Sequence, residues 1–483
     1  MLRSVLHHTI LRTAKGLAIA ACVLAIAACG GGSDTPSAPS TTQVLLSDGD
    51  TLADGFKIDT IESANLANDR TVAFIASRPG PPTENAAYVR DPGGNITGIL
   101  TPSSPIPPGL SLETMRNLAI SESGDVTFEI GSQLDDDALF LYSGGQLHLV
   151  ARTEPGSTPP GFRVVGERRI ANGGQVAFSY GVSPCNVDTS GGDERITCAL
   201  RVVGGTADSI QEISVPNDLA SETTSAVTVI MHDNGQLVLG LPASGSGSLV
   251  GTVVNGQYQS VLSRRQVLPG LGTVLSATPR AINASGALVV DARLDTDGDG
   301  QVDKTHVLLL ANGGVTSVAE TGVPAGTKVI LTVRGNGIDD RGRVLLTATF
   351  GDPGETTGSQ SLRLWDAGTT REIAFEGQPF GQDDQGNDTK ILDVEQVRIA
   401  GNGDVIFRGT IGFLEDNTRH VTESRIFRQT DDVGSTLLTT GTKVSTGTIV
   451  EINIADVNDN GDVLVIAGVN RRADRGLLLL PRL

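Results

Sequence analysis

Apolar and polar positions along this 483-residue chain fall into a short pattern that returns eight times. Its commonest form is Ile-x-x-x-Gly-x-Val-x-Phe. The copies are LANDRTVAF from Leu66, ISESGDVTF from Ile120, IANGGQVAF from Ile170, MHDNGQLVL from Met231, INASGALVV from Ile282, IDDRGRVLL from Ile338, IAGNGDVIF from Ile399 and VNDNGDVLV from Val457. The glycine is Gly124, Gly174, Gly235, Gly286, Gly342, Gly403 or Gly461, and Arg70 replaces it in the first copy. Successive copies stand 50 to 61 residues apart, and recurrence on that scale is the signature of a repeat architecture. The segment 161–215 shows the unit. Residues 163–171 alternate as a first strand, the Asn172-Gly173-Gly174 turn reverses the chain, and 175–181 alternate through Val176, Phe178 and Tyr180. A long loop separates these from strands at 196–203 and 210–215. Four short strands in about 55 residues describe a propeller blade. No stretch sustains a helical period, which argues against βαβ units.

The chain ends predict how the array closes. Most units finish in an outer strand with a Gly- or Pro-rich turn, such as LHLVARTEPGSTPPG from Leu147. The stretch VLLSDGDTLADG from Val44 has that same character, whereas the last unit stops after its third strand, GLLLLPRL from Gly476. Pairing the two would hide both exposed sheet edges. The expected fold is therefore all-β: a single β-propeller of eight four-stranded blades over residues 43–483, the eighth built from both ends. The competing architecture is an open stack of β units.

Residues 1–28 read as an export signal. Arg3, Arg12 and Lys15 precede an apolar run at 16–28, too short to span a membrane as a helix. With Ile26-Ala27-Ala28-Cys29 at its end it resembles a bacterial lipoprotein signal, in which the peptide is cut before the cysteine and Cys29 carries acyl chains. Ile19-Ala20-Ala21-Cys22 is a second match, and a plain cleaved signal is the other reading. Cys29 is preferred because residues 30–42, GGGSDTPSAPSTT, follow it as a flexible tether. Gly30 in place of Asp implies outer-membrane sorting under the rule of that family, with palmitate among the anchoring chains.

The run IANGGQVAF and outer-strand pieces such as LHLVARTEPGSTPPGF resemble the NxxGxxAF tandem-repeat proteins, exported bacterial proteins with varied envelope anchors. The leading Asn stands in strict register only at Asn283 and Asn458, and the Phe only at Phe74, Phe128, Phe178 and Phe407. The resemblance implies export and a repeat fold, not a reaction.

Two places carry candidate chemistry. Asp295-Thr-Asp297-Gly-Asp299-Gly300-Gln301-Val-Asp303 sets oxygen ligands at positions 1, 3, 5 and 9, with the Gln301 carbonyl at 7 and glycine at 6. Closely spaced carboxylates around a tight glycine turn suit Ca2+. The loop resembles those in hairpins of integrin-type propellers and in dockerins. It lacks flanking helices and a Glu at position 12, so it is not a full EF-hand. Its expected role is structural, and a solvated acidic turn is the alternative. Cys185 and Cys198 are the remaining cysteines, and export makes them a candidate disulfide closing about 3 kcal/mol worth of loop entropy.

Other features narrow the function. A net charge of −19 disfavours nucleic acid as a partner. His148, His232, His306 and His420 fall at unrelated positions, and no Gly-x-Ser-x-Gly elbow occurs. Asp135–Asp137 and Asp383-Asp384 read as acidic turns. Arg116, Arg168, Arg169, Arg280, Arg334 and Arg398 on inner strands either meet an anionic ligand near the channel or pair with acidic neighbours; the second is favoured. The expectation is a non-enzymatic envelope lipoprotein, anchored to the outer membrane and offering a calcium-stabilised propeller to an envelope protein. The alternatives are a periplasmic or surface hydrolase or lyase with its site at the channel mouth, and an outer-membrane assembly factor.

Overall fold

The structure, a computed structural model, describes residues 42–482 apart from 81–82, 109, 132–136, 153–161, 189–194, 207–208, 215–226, 242–247 and 417; for 137, 162–168, 180–201 and 248 it describes the backbone alone. Among the described residues every regular element is a strand. No helix there is long and apolar enough to cross a membrane.

Eight antiparallel sheets follow one another as the blades of an eight-bladed β-propeller. In chain order blades 1 to 7 occupy residues 60–100, 114–152, 162–212, 228–263, 272–320, 328–375 and 388–439. Blade 8 takes its three long strands from one end of the chain, Gly447–Val457, Val463–Val469 and Arg475–Leu480, with the two-residue Lys443–Val444 paired beside the first, and its outer strand, Gln43–Ser47, from the other. The register runs Gln43↔Leu479, Val44↔Leu478, Leu46↔Leu477 and Ser47↔Gly476. The closure expected from the ends of the sequence is thus the one observed, and the open stack is excluded.

Alternation along the second strands explains the packing. The motif's Val position is buried in all eight copies, from Val72 to Val463, because it faces the neighbouring blade. Two residues on, Phe74, Phe128 and Phe407 stack on the aromatic directly across from them on the third strand: Tyr88, Phe140 and Phe427, with ring centroids 5.3, 5.7 and 5.0 Å apart. An apolar cluster fills every seam between blades. At the closing seam Leu46, Leu477 and Leu479 of blade 8 meet Ile61, Phe74 and Tyr88 of blade 1. Among the described residues the buried apolar side chains group seam by seam, so stability is a chain of neighbour terms.

Blade 3 departs from expectation. Its second strand is Gln175–Asp188 and its third Arg195–Gly205, so the segment read as a long loop is mostly a hairpin arm. The pairing slips between Val182 and Asn186, the stretch holding Pro184. Proline cannot donate to a ladder and is accommodated at such bulges. Blade 7 carries a comparable arm, Val405–Glu415 with Thr418–Thr430.

Candidate functional site

The eight motif turns link first to second strands and lie at one end of the ring. Each needs a left-handed residue at its fifth position. The seven glycines there have φ between +67° and +91°, and Arg70 in the first copy has φ +70°. Side-chain acceptors at the second position fold the turns tight. Asn283 Oδ1 accepts from the Ala287 N–H at 2.9 Å, Asp339 Oδ1 from Arg343 N at 2.7 Å, and Asn458 Oδ1 from Asp462 N at 2.9 Å. Ser121 Oγ and His232 Nδ1 accept similarly from Asp125 N and Asn234 N, while Ala67, Ala171 and Ala400 turn without a side-chain acceptor at that position, which is why the leading Asn is kept so loosely.

These turns join hands around the ring. Asn68 donates to Glu122, Ser123 N to Asn172 Oδ1 (2.8 Å), Asn172 N to the Asp233 carbonyl (3.1 Å), and Asn234 Nδ2 to the Ala284 carbonyl (3.1 Å). The belt continues from Asn283 Nδ2 to the Asp339 carbonyl (2.9 Å), Asp340 N to the Gly401 carbonyl (3.2 Å), Asn402 N to the Asp459 carbonyl (3.0 Å), and Asp459 N back to Asn68 Oδ1 (2.8 Å). Every seam is bridged.

At the third motif position three carboxylates come together within this belt, while the fourth, Asp340, accepts from Ala284 N at 3.4 Å. Read around the ring that position is Asn68, Glu122, Asn172, Asp233, Ala284, Asp340, Gly401 and Asp459, acidic on every even blade and neutral on every odd one. Glu122, Asp233 and Asp459 each bring a carboxylate oxygen within 4.8 Å of the other two. They come from blades 2, 4 and 8, which are not all neighbours, so they meet over the channel. The Glu122 N–H also donates to Asp233 Oδ1 at 3.4 Å, and Asp459 Oδ1 accepts from Gly401 N at 3.1 Å. The hydrogen bond to the Asp459 carboxyl, then burial, then the charges of Asp233 and Asp459 push Glu122 up to about 8; Asn68 opposes this. Burial likewise raises Asp233, against the Glu122 N–H and the nearby His232. A shared proton, or a cation, is what such a group needs.

A carboxyl raised in the folded state stabilises fully below its unfolded value, and that contribution is lost as pH rises from about 4.5 to about 8. Glu122→Gln is therefore expected to unfold at nearly the wild-type temperature at pH 5 and at a higher temperature than wild type at pH 8.5. Parallel melting curves at both pH values would expose the idea as wrong.

The acidic loop of blade 5 joins Leu288–Asp295 to Lys304–Ala311. The buried Asp295 accepts from Gly298 N at 2.6 Å and Gly300 N at 2.8 Å, while Asp303 Oδ2 accepts from Thr296 N at 2.6 Å and Thr296 Oγ1 at 2.8 Å. Those Thr296 bonds hold the Asp303 carboxyl below the usual range. Asp295, Asp297 and Asp303 converge, each with an oxygen within 4.8 Å of the others. Asp299 lies outside that trio, and its Oδ1 accepts from Gln301 N at 2.6 Å. The donor set is all oxygen, which fits a hard divalent cation.

Other expected residues fall as follows. Cys29 lies outside the described residues, as do Asp135 and Asp136. Cys185 is on the second strand of blade 3 and Cys198 on the third, within the arm; both side chains lie outside the described residues. Asp383 closes its own turn by accepting from Gln385 N and Asn387 N at 3.0 and 2.8 Å. Arg116 pairs with Glu129 and Arg280 with Asp291, at 3.2 and 2.6 Å, which favours the reading of inner-strand arginines as partners of acids. Asp291 also accepts from Gly335 N at 2.9 Å and so ties blade 5 to blade 6. The axial carboxylates went unrecognised in the sequence because each looks like an ordinary turn residue. The signal that points to them is an acidic residue at the third motif position of every even blade, which also selects Asp340, outside the trio.

The family model described as a family of unknown function (DUF7453) matches residues 66–252 and 242–477. The chain belongs to this family. No curated protein matches it. Among solved structures the chain is similar to the β-propeller domain of the Trilobed protease from Pyrococcus furiosus, at 10% identity and a TM-score of 0.39, over 79% of this chain and 98% of that one. It is similar to the Dos1 propeller at 9% identity and a TM-score of 0.41, over 92% and 95%. A polysaccharide lyase of family PL25, an ulvan lyase, follows at 12% and 0.36, over 74% and 90%. Likeness at this identity concerns the fold alone.

Proposed function

We propose that this member of the family is a non-enzymatic envelope lipoprotein whose propeller, stabilised by Ca2+, serves as a binding platform for another envelope protein. The observation that carries the reading is the convergence of Asp295, Asp297 and Asp303 in the blade 5 hairpin. Three carboxylates held together by loop N–H groups repel one another, and a divalent cation between them converts that repulsion into a clamp on the hairpin. Export through residues 1–28 and anchoring through Cys29 at the outer membrane complete the proposal. They would place Cys185 and Cys198 where thiols oxidise, and the two lie on neighbouring antiparallel strands of one arm.

The axial group supports a second reading, an enzyme acting at the channel mouth, since Glu122 retains a proton near neutral pH beside two further carboxylates. The structural role is preferred. Glu122, Asp233 and Asp459 are each engaged by main-chain or amide donors of the belt, so their positions are explained by holding the ring.

Melting of the mature protein in Ca2+ and in chelator tests the main reading. Calcium at 100 times its Kd adds about 2.7 kcal/mol. A drop in melting temperature on chelation is expected in wild type and is expected to vanish in Asp297→Ala and Asp303→Ala. Identical curves in Ca2+ and chelator for wild type would reduce the loop to a solvated acidic turn.

A further inference from the structure

The ring is closed by one short strand, and the groups that latch it are ionisable. Of Gln43–Ser47 only Leu46 is fully buried. Immediately after the strand, Asp48 N donates to the Arg475 carbonyl at 2.9 Å, and Arg475 N donates back to Asp48 Oδ2. Arg475 Nη1 then reaches the Ile61 carbonyl of blade 1 at 2.9 Å. The Asp48–Arg475 exchange therefore ties the closing strand to blade 8, and Arg475 carries the tie on to blade 1.

Asp48 lines a cleft of about 690 Å³ at this seam, together with Ser47, Lys57, Asp59, Asp474 and Arg475. Its Oδ1 and the Ser47 Oγ are enclosed and make no hydrogen bond. Three carboxylates thus face the cleft from three segments: Asp48 from the end of the closing strand, Asp59 from the entry to blade 1 and Asp474 from the last hairpin of blade 8. The positive groups are Lys57 and Arg475. Asp50, on the strand's own turn, is taken up by Ser47 N at 2.8 Å. An ionised Asp48 holds charge on an enclosed oxygen without a donor and has two like charges beside it; a protonated Asp48 carries no charge to bury or to be repelled by Asp59 and Asp474.

We propose that Gln43–Ser47 is a proton-controlled strap, held shut when Asp48 is protonated and loosened when it is ionised. Burial, followed by Asp474 and Asp59, pushes the Asp48 carboxyl up to about 6, against the Arg475 N–H and the Arg475 charge. The closed strap binds the proton more tightly than the open one, so closure is favoured below the usual carboxylate range and weakens as pH rises through about 6. Opening uncovers the Arg475–Leu480 edge, the one place where this ring can be unpaired without breaking a sequence-continuous hairpin.

Amide hydrogen exchange of the full chain at pH 5.0 and 7.5, corrected for intrinsic rates, tests the strap. Amides of 44–47 and 476–479 are expected to open up to about tenfold more readily at the higher pH, the ratio that a carboxyl moved from about 3.8 to about 6 produces. Amides of Lys304–Ala311 are expected to respond far less. Asp48→Asn is expected to stay closed at both pH values. The proposal falls if wild type shows no difference, if all blades respond equally, or if Asp48→Asn keeps the wild-type response. Should Asp48→Asn fold poorly, Asp474→Asn decides: it must move the midpoint to lower pH, and an unmoved midpoint overturns the strap.

Discussion

Deletion of residues 43–50 is expected to destabilise the ring by more than about 4 kcal/mol and to make it self-associate. Leu46 alone buries a side chain against blade 1, a contribution of about 2 kcal/mol. Val44 packs on the cluster between blades 7 and 8, and each main-chain bond lost along Arg475–Leu480 adds about 1 kcal/mol. The bared strand, RGLLLL, is an apolar edge with unpaired N–H and C=O groups, which templates pairing with another chain. Denaturant unfolding and light scattering read both effects. A deletion variant that unfolds like wild type would mean that Gln43–Ser47 merely decorates a ring closed by other contacts.

Asp339→Ala is expected to cost about 3–5 kcal/mol, the range for removing one partner of a buried ion pair. Asp339 is fully buried and Arg343 nearly so, with Nε 2.6 Å from Asp339 Oδ2. The same guanidinium donates to the Gly403 carbonyl of blade 7 at 3.0 Å and to Asp431 at 3.2 Å. A Cβ at Gly403 would lie 1.6 Å from that guanidinium, so the glycine also makes room for the staple. Without Asp339 the charge stays buried with the mostly exposed Asp431 as its remaining carboxylate, and the Arg343 N–H loses its acceptor. Asp339→Ala combined with Arg343→Met is expected to recover much of the loss, because no buried charge is then left alone. A single variant within about 1 kcal/mol of wild type in urea unfolding would refute the account.

Much of this molecule is legible as text. The Val and Phe positions alternate because each second strand packs on a neighbouring blade, and the glycine recurs because the turn requires φ near +80°. Arg70 is the instructive exception. It accepts the same strained φ and uses its side chain on Asp462 of blade 8, with both nitrogen–oxygen distances at 3.0 Å. The substitution at the first copy therefore falls at the closing seam, where a cross-blade ion pair compensates a local cost of order 1 kcal/mol.

The blade 3 arm was less legible, since Ser183 and Pro184 read as a loop and only the bulged pairing shows that the strand runs on. The blade 5 loop was nearly complete in the sequence, because its ligands are neighbours along the chain. Local geometry alone then decided that Asp295, Asp297 and Asp303 converge while Asp299 turns to its own loop.

By itself the sequence determined the repeat, the blade count, the need for both ends to meet, and the one acidic loop. These depend on contacts within about sixty residues or on patterns that repeat, and periodicity reports such contacts directly. The tertiary structure alone decided what meets across the ring. Glu122, Asp233 and Asp459 are separated by more than a hundred residues in sequence and share one proton-binding cluster; Asp48 and Arg475 lie at opposite ends of the chain and share one latch. Closing a circle converts positions that look like solvated turns into neighbours whose charges must be reconciled, and no local pattern carries that constraint.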